Sequence, residues 1–257
     1  MVENDAGMPH NVVVFGGSSE IARAITKKLC LARTHTVILA GRDQALLDAA
    51  ALEAQEYGAT KTDTVLFDAD DPFGAADAVT ETFEKVGDPI DLVVVAVGTV
   101  GHQLEDENDA EQSARMMNVN IAWPVAALAE VRRRLVAQGS GRILVITSAA
   151  AVRVRRITYL YSGAKAGLDR LCVSMAESLE GTGVRLQILR PAAVRTRMIV
   201  GKSPTPFTTG PNEVADNAMR GLASDELVIW SPPVLRYVFV LVRLMPPALW
   251  QRLANRD

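Results

Sequence analysis

The feature that most constrains this chain is a rhythm. A short β-branched apolar run is followed by a stretch with helical spacing, again and again. Asn11–Phe15 predicts a strand and Ser19–Ala32 a helix; Thr36–Ala40 and Asp43–Tyr57 repeat the pair. Thr64–Phe67, Pro72–Val86 and Asp91–Ala96 read as strand, helix, strand. A long helix over Ala114–Ala137 leads to a strand at Gly141–Thr147, and a helix over Tyr161–Glu180 to a strand at Val184–Leu189. The runs are apolar on both faces, as strands are when helices cover both sides of a parallel sheet. Strict alternation with right-handed crossovers predicts an α/β fold, a doubly wound parallel sheet. Such a sheet binds ligands beyond the carboxyl ends of its strands, so the residues that follow each strand matter most.

Composition narrows the function classes. The 257 residues are 49% apolar and 22% charged, suited to one large α/β domain with an ordinary core. A net charge of −3 argues against a nucleic-acid binder, which needs a strongly basic face. Cys30 and Cys172 make no disulfide framework, and His10, His35 and His102 make no metal spacing. Met1–Ala6 is acidic and polar, unlike a signal peptide, and no apolar run is long enough to span a bilayer.

Gly16-Gly17-Ser18-Ser19-Glu20-Ile21-Ala22 lies between the first strand and the first helix, where a dinucleotide pyrophosphate site belongs. Glycine permits the tight turn, and the amides and dipole of the helix start attract phosphate. A plain connecting turn would look similar. Ala40-Gly41-Arg42 after the second strand lacks the acid that binds ribose hydroxyls; Arg42 can bind a 2′-phosphate, stack on adenine, or be solvated. Asp68, after the third strand, can accept from an adenine amino group or close its own turn. Gly98, after the fourth, leaves room for a ribose or simply turns the chain.

Ser148, Tyr161 and Lys165 carry the chemistry. Tyr161 and Lys165 are four apart and share a helix face. A phenol is a poor acid or base at neutral pH, and a neighbouring ammonium is expected to lower its pKa. Tyr161 can then exchange a proton with a carbonyl or alcohol oxygen that the Ser148 hydroxyl orients. Asn120, on the preceding long helix, can hold a water that links Lys165 to solvent.

With Ser148 thirteen and Asn120 forty-one residues before Tyr161, this spacing resembles the short-chain dehydrogenase/reductase family over about residues 11 to 200. The resemblance implies a single Rossmann-like domain, hydride transfer between a nicotinamide cofactor (NAD or NADP) and a carbon–oxygen bond, and a Ser148–Tyr161–Lys165–Asn120 catalytic tetrad. It implies cofactor contacts at Gly16, Ser18, Ser19, Glu20, Ile21, Arg42, Asp68, Gly98, Tyr161, Lys165 and Thr196. Glu20 and Ala22 stand where the family has its second and third glycines, and Pro191–Thr196 resembles its Pro-Gly segment with Ala192 for the glycine. Val95-Ala-Val-Gly98 keeps only the glycine of Asn-Asn-Ala-Gly. The departures resemble one branch, which reduces the 2-keto group of a decaprenylphosphoryl pentofuranose beside a flavin-dependent oxidase, to make the arabinose donor of the actinobacterial cell wall.

A lipid phosphate substrate gives the remaining features a reading. Arg153, Arg155 and Arg156 lie between the catalytic serine and tyrosine, placed for a phosphate clamp or for a solvated, subunit-facing loop. Arg195 and Arg197 are secondary candidates. Gly201–Gly210 reads as a lid or a plain connection. Residues 1–230 form the predicted catalytic domain and 231–257 an apolar, basic helical tail. Its segment 234–245 is too short to span a membrane but suits the interface, where it would hold the enzyme peripherally on the cytoplasmic face or cell envelope. Packing on the sheet or on a second subunit of a homo-oligomer is the alternative. Competing functions are a reductase for a soluble ketone and a nicotinamide-binding scaffold with little activity.

Overall fold

The computed structural model describes residues 8–87, 89–199, 206–246 and 249–250, with the side chain of Ile199 excepted. Seven parallel strands form one sheet: β1 (Asn11–Phe15), β2 (Thr36–Gly41), β3 (Lys61–Leu66), β4 (Leu92–Val95), β5 (Gly141–Ile146), β6 (Val184–Pro191) and β7 (Val228–Ser231). Their order is β3-β2-β1-β4-β5-β6-β7.

The pleat sorts each strand's residues to two cores. Val13, Phe15, Val93, Val95, Ile143 and Val145 face α3 (Ala75–Val86), α6 (Trp123–Gln138) and α7 (Tyr159–Ser178). Val12, Val14, Leu92, Val94, Leu144 and Ile146 face α1 (Glu20–Leu31), α2 (Gln44–Glu56) and α8 (Pro211–Leu222). Two helical layers thus sandwich the sheet, a single-domain Rossmann-like α/β fold. The short helices α4 (Gln103–Asp106) and α5 (Ala110–Met117) follow β4, and α9 (Leu235–Leu244) follows β7.

Three departures from the expected elements have physical causes. β3 begins at Lys61, earlier than the apolar run starts, because an edge strand leaves Lys61, Thr62 and Asp63 on a polar, partly solvated rim. The helix expected over Ala114–Ala137 is interrupted by a π-helical turn at Asn118–Ala122, where the Trp123 N–H reaches back to the Asn118 carbonyl. Pro124 has no N–H to return to the Asn120 carbonyl, so the regular ladder cannot run through. β7 and α8 escape a search for apolar runs because β7 is four residues long and α8 alternates polar and buried positions.

Trp123 anchors the first core. It is fully buried, stacks on Phe67 at 4.1 Å between ring centroids, and meets the edge of Phe15 at 5.7 Å. Its indole N–H finds no acceptor among the described residues. Trp123→Ala is therefore expected to cost about 3–5 kcal/mol, read as a lower urea midpoint at unchanged slope. Trp123→Phe should cost much less, because it keeps the ring and removes an unpaired buried donor. Equal losses for the two would contradict this packing account.

Candidate active site

At the switch between β1 and β4 the crossovers diverge, which is where a doubly wound sheet places a ligand crevice, beyond the carboxyl ends of its strands. Gly16 turns the chain there at φ +79°, and a Cβ on it would lie 2.7 Å from the Ala96 carbonyl oxygen. The Gly16 and Gly17 amides donate to the Ala40 carbonyl at 2.8 and 3.0 Å. Ser19 caps α1, accepting from the Ala22 N–H at 3.1 Å. The amides of Ser18, Glu20 and Ile21 bond no acceptor among the described residues. A close-packed glycine turn followed by free amides at a helix start fits a dinucleotide pyrophosphate.

Glu20 does not spoil that cradle, because its carboxylate is turned elsewhere. It accepts from the Arg197 N–H at 2.8 Å and lies 3.8 Å from the Arg197 Nε, on the single turn Arg197–Ile199 that follows β6. Ala22 is fully buried, its methyl filling the helix–sheet contact. Ile21 packs on the second core. Thr196, just before the Glu20 tether, donates to the Val194 carbonyl at 3.2 Å. Arg42 is exposed at the end of β2 and ion-paired to no described residue. Asp68 is exposed and accepts from the Asp70 N–H at 2.9 Å, which closes its own turn.

The proton-handling groups converge on the same edge. Ser148 follows β5 and starts the turn Ala149–Ala151, its hydroxyl accepting from the Ala150 N–H at 3.1 Å. Its hydroxyl lies near enough to the Tyr161 hydroxyl to favour the phenolate. Tyr161 lies in the first turn of α7. Lys165, one turn on, is 4% exposed and donates to the Val97 carbonyl at 3.0 Å. Gly98 completes the pocket wall: a Cβ there would meet Lys165 Nζ at 2.8 Å and Asn120 Oδ1 at 3.0 Å.

One expectation is corrected. Burial pushes the Tyr161 hydroxyl up from its ordinary value, and the nearby Ser148 hydroxyl offsets only part of that. Lys165 does not act on the phenol here; its ammonium is spent on Val97, and burial lowers its own pKa to about 8. The Asn120 side chain is bonded to the neighbouring backbone. Its Oδ1 accepts from the Thr99 N–H at 3.1 Å, and its Nδ2 donates to the carbonyls of Thr99 (2.9 Å) and Met116 (3.0 Å). It braces the segment that carries Gly98. No residue-type signal could have pointed to Val97, whose contribution is a main-chain carbonyl.

The three loop arginines separate. The Arg153 guanidinium donates to the carbonyls of Val242 and, at 2.8 Å, Met245, and lies 4.9 Å over the Trp250 ring. It is tied to the end of α9 and is not free to act as a phosphate clamp. Arg155 is half-buried and Arg156 exposed, neither paired with an acid among the described residues. Arg195 donates to the Thr208 carbonyl at 3.0 Å. Residues 201–205 of the expected lid and 251–257 of the tail, Arg252 included, lie outside the described residues.

Residues 10–206 match the short chain dehydrogenase family. The chain belongs to that family. As a short-chain dehydrogenase it is an NAD(P)-dependent oxidoreductase. An uncharacterized oxidoreductase of Mycobacterium tuberculosis is 37% identical over 242 residues, 94% of this chain and 96% of its own. Among solved structures, a short chain dehydrogenase from Burkholderia cenocepacia in complex with NADP superposes with a TM-score of 0.81 at 17% identity, covering 97% of this chain and 99% of its own. One from Burkholderia phymatum in complex with NAD gives 0.80 at 19% identity, with 95% of each chain covered.

Two tests follow from the geometry of this short-chain dehydrogenase. Tyr161→Phe is expected to lower kcat by at least ~10²-fold with cofactor affinity nearly unchanged, measured by steady-state turnover and cofactor titration. Lys165→Met is expected to abolish turnover yet raise Tm at pH 7. With a folded pKa of about 8 and an ordinary value of 10.5, the native state binds fewer protons than the unfolded chain between those pH values. The destabilisation by Lys165 is thus complete below about pH 8 and is relieved as pH rises toward 10.5. The Tm gain of Lys165→Met should shrink accordingly at pH 10; a gain independent of pH would contradict the burial account.

Proposed function

We propose that this enzyme reduces a ketone to a secondary alcohol with a reduced nicotinamide cofactor, and that its substrate is a lipid-linked keto sugar phosphate. The convergence of Ser148, Tyr161 and Lys165 on one crevice wall carries the first half. A reduced nicotinamide, when bound in the Gly16 crevice, supplies the hydride. Ser148 hydrogen-bonds the substrate oxygen and holds it against Tyr161. The Tyr161 hydroxyl, neutral because burial raises its pKa, gives that oxygen its proton. Lys165, with its Nζ beside Gly98 and one proton on the Val97 carbonyl, would donate another to a ribose hydroxyl of the bound cofactor. Glu20 holds the segment after β6 against the phosphate turn.

For the cofactor, the absence of an acid at Gly41 and the unpaired Arg42 beside it favour NADPH. Arg42→Ala should weaken NADPH by roughly 10–100-fold and NADH little, the size of a charge-assisted hydrogen bond. Equal losses would place Arg42 on the adenine face and favour NADH.

The substrate reading is the decaprenylphosphoryl 2-keto-pentofuranose, supplied by a flavin-dependent oxidase and reduced to the arabinose epimer. Arg155 and Arg156 support it, as unpaired cations in the loop between Ser148 and Tyr161. Around them Val154, Ile157 and Tyr159 are exposed, an apolar setting suited to a polyprenyl chain. Exposed Val234, Tyr237, Val240, Leu241 and Leu244 form a stripe along α9, and Arg153 ties the end of that helix to the same loop. α9 has ten residues, about 15 Å, so it would lie along a membrane surface rather than cross it. No helix among the described residues is long and apolar enough to cross.

The test is cofactor oxidation at 340 nm with the oxidised decaprenylphosphoryl sugar and with small neutral ketones. The Arg155→Ala, Arg156→Ala double variant should raise KM for the phospholipid substrate alone, because a phosphate contact adds binding only where a phosphate exists. Unchanged discrimination would favour a soluble ketone substrate.

A further inference from the structure

The carboxylate of Asp169 and the guanidinium of Arg190 are paired inside the protein, at 3% and 5% side-chain exposure. Arg190 Nε donates to Asp169 Oδ2 at 2.8 Å and Nη2 to Oδ1 at 2.7 Å, a two-pronged contact. The Thr147 hydroxyl donates to the same Oδ2 at 3.0 Å. Neither charged residue touches the crevice chemistry described above.

Their placement is what gives them a role. Asp169 lies one helical turn beyond Lys165 and two beyond Tyr161, on the same stripe of α7. Thr147 immediately precedes Ser148, at the end of β5. Arg190 lies near the end of β6, and the Thr147 N–H donates to the Leu189 carbonyl at 2.9 Å. Strand alternation puts Thr147 in line with Ile143 and Val145, and Arg190 with Leu186 and Ile188, so both point toward α7. On its other side the Arg190 guanidinium lies 5.1 Å over the Trp230 ring of β7, which stacks on Phe239 of α9 at 5.4 Å. The guanidinium is therefore fixed from two sides.

We propose that the Asp169–Arg190 pair, with Thr147, is a positioning device: it fixes α7 against the ends of β5 and β6 and so sets the placement of Ser148 relative to Tyr161. Desolvating two charges makes such a pair a poor source of stability compared with apolar side chains of similar size. What apolar residues cannot supply is direction. The carboxylate has two oxygens in a fixed plane, one shared by Arg190 and Thr147, the other held by Arg190 alone. A slide of α7 by a fraction of an ångström would break that arrangement, and misplacement of about 1 Å at a reacting group can cost 10²-fold in rate.

The inference rests on the proposed ketone chemistry for its kinetic readout, so the wild-type enzyme must first turn over a ketone; failure there overturns that chemistry and not the positioning role. Two variants are then compared. Thr147→Val removes one hydrogen bond and no charge. Asp169→Leu with Arg190→Met replaces the whole pair by apolar volume, which keeps the fold if the pair matters only for packing. Both are expected to lower kcat by at least ~10-fold while cofactor Kd and substrate KM stay within about twofold. Thr147→Ser, which retains the hydroxyl, should restore the rate. Crystal structures of the two variants should show Ser148 Oγ drawn away from the Tyr161 hydroxyl, a readout that needs no turnover. A folded double variant with wild-type kcat would overturn the proposal, as would a raised KM at unchanged kcat or an unmoved Ser148–Tyr161 pair. Should the double variant fail to fold, Thr147→Val decides alone.

Discussion

Lys165 carries its charge where water barely reaches it, and the crevice is arranged around that difficulty. Burial alone lowers its pKa to about 8, so near neutral pH the ammonium persists at a cost to folding. The Val97 carbonyl receives one of its protons. Gly98 leaves the volume that Nζ occupies, since any Cβ there would collide with it. Asn120 holds the backbone of Thr99 so that both stay in place. The π-helical turn that presents Asn120 interrupts a regular helix, and Pro124, which has no N–H to offer the Asn120 carbonyl, favours the interruption there. Features far apart in the chain thus answer to one buried cation.

The cofactor side is arranged differently. There the backbone does the work, through amides freed at the start of α1 and a glycine pressed against Ala96. A glutamate in this turn looks wrong electrostatically, because it brings negative charge to a phosphate site. The fold resolves the conflict by giving the carboxylate another donor, the Arg197 amide. Glu20 thereby joins the phosphate turn to the segment after β6. The loop after β5 shows a comparable economy: Arg153 satisfies carbonyls at the end of α9, while Arg155 and Arg156 meet no acid among the described residues.

Legibility in the sequence followed the physics of each feature. The strands with apolar residues on both faces, β1, β2, β4 and β5, announce themselves; β3 does not, because an edge strand is partly solvated. Tyr161 and Lys165 are visible because a helix turns their spacing into proximity. Contacts between residues distant in sequence carry no such signal. Glu20 meets Arg197 across 177 positions and Arg153 meets Val242 across 89, and both pairings depend on tertiary folding alone. The upward shift of the Tyr161 pKa is hidden for a related reason: a neighbouring charge is legible from spacing, whereas burial and the direction of an ammonium are not. Asp169 and Arg190 are 21 positions apart, and only the sheet brings them together.

The central claim is that this crevice transfers a hydride to a carbonyl carbon while Tyr161 protonates the oxygen. It is tested most directly with a nicotinamide cofactor deuterated at the transferable position, mixed with the keto substrate and followed by mass spectrometry of the product. The account predicts one deuterium on the carbinol carbon in the wild-type protein and almost none with Tyr161→Phe, although both bind the cofactor. Cofactor binding without deuterium in any alcohol product, or equal transfer by the two proteins, would contradict it.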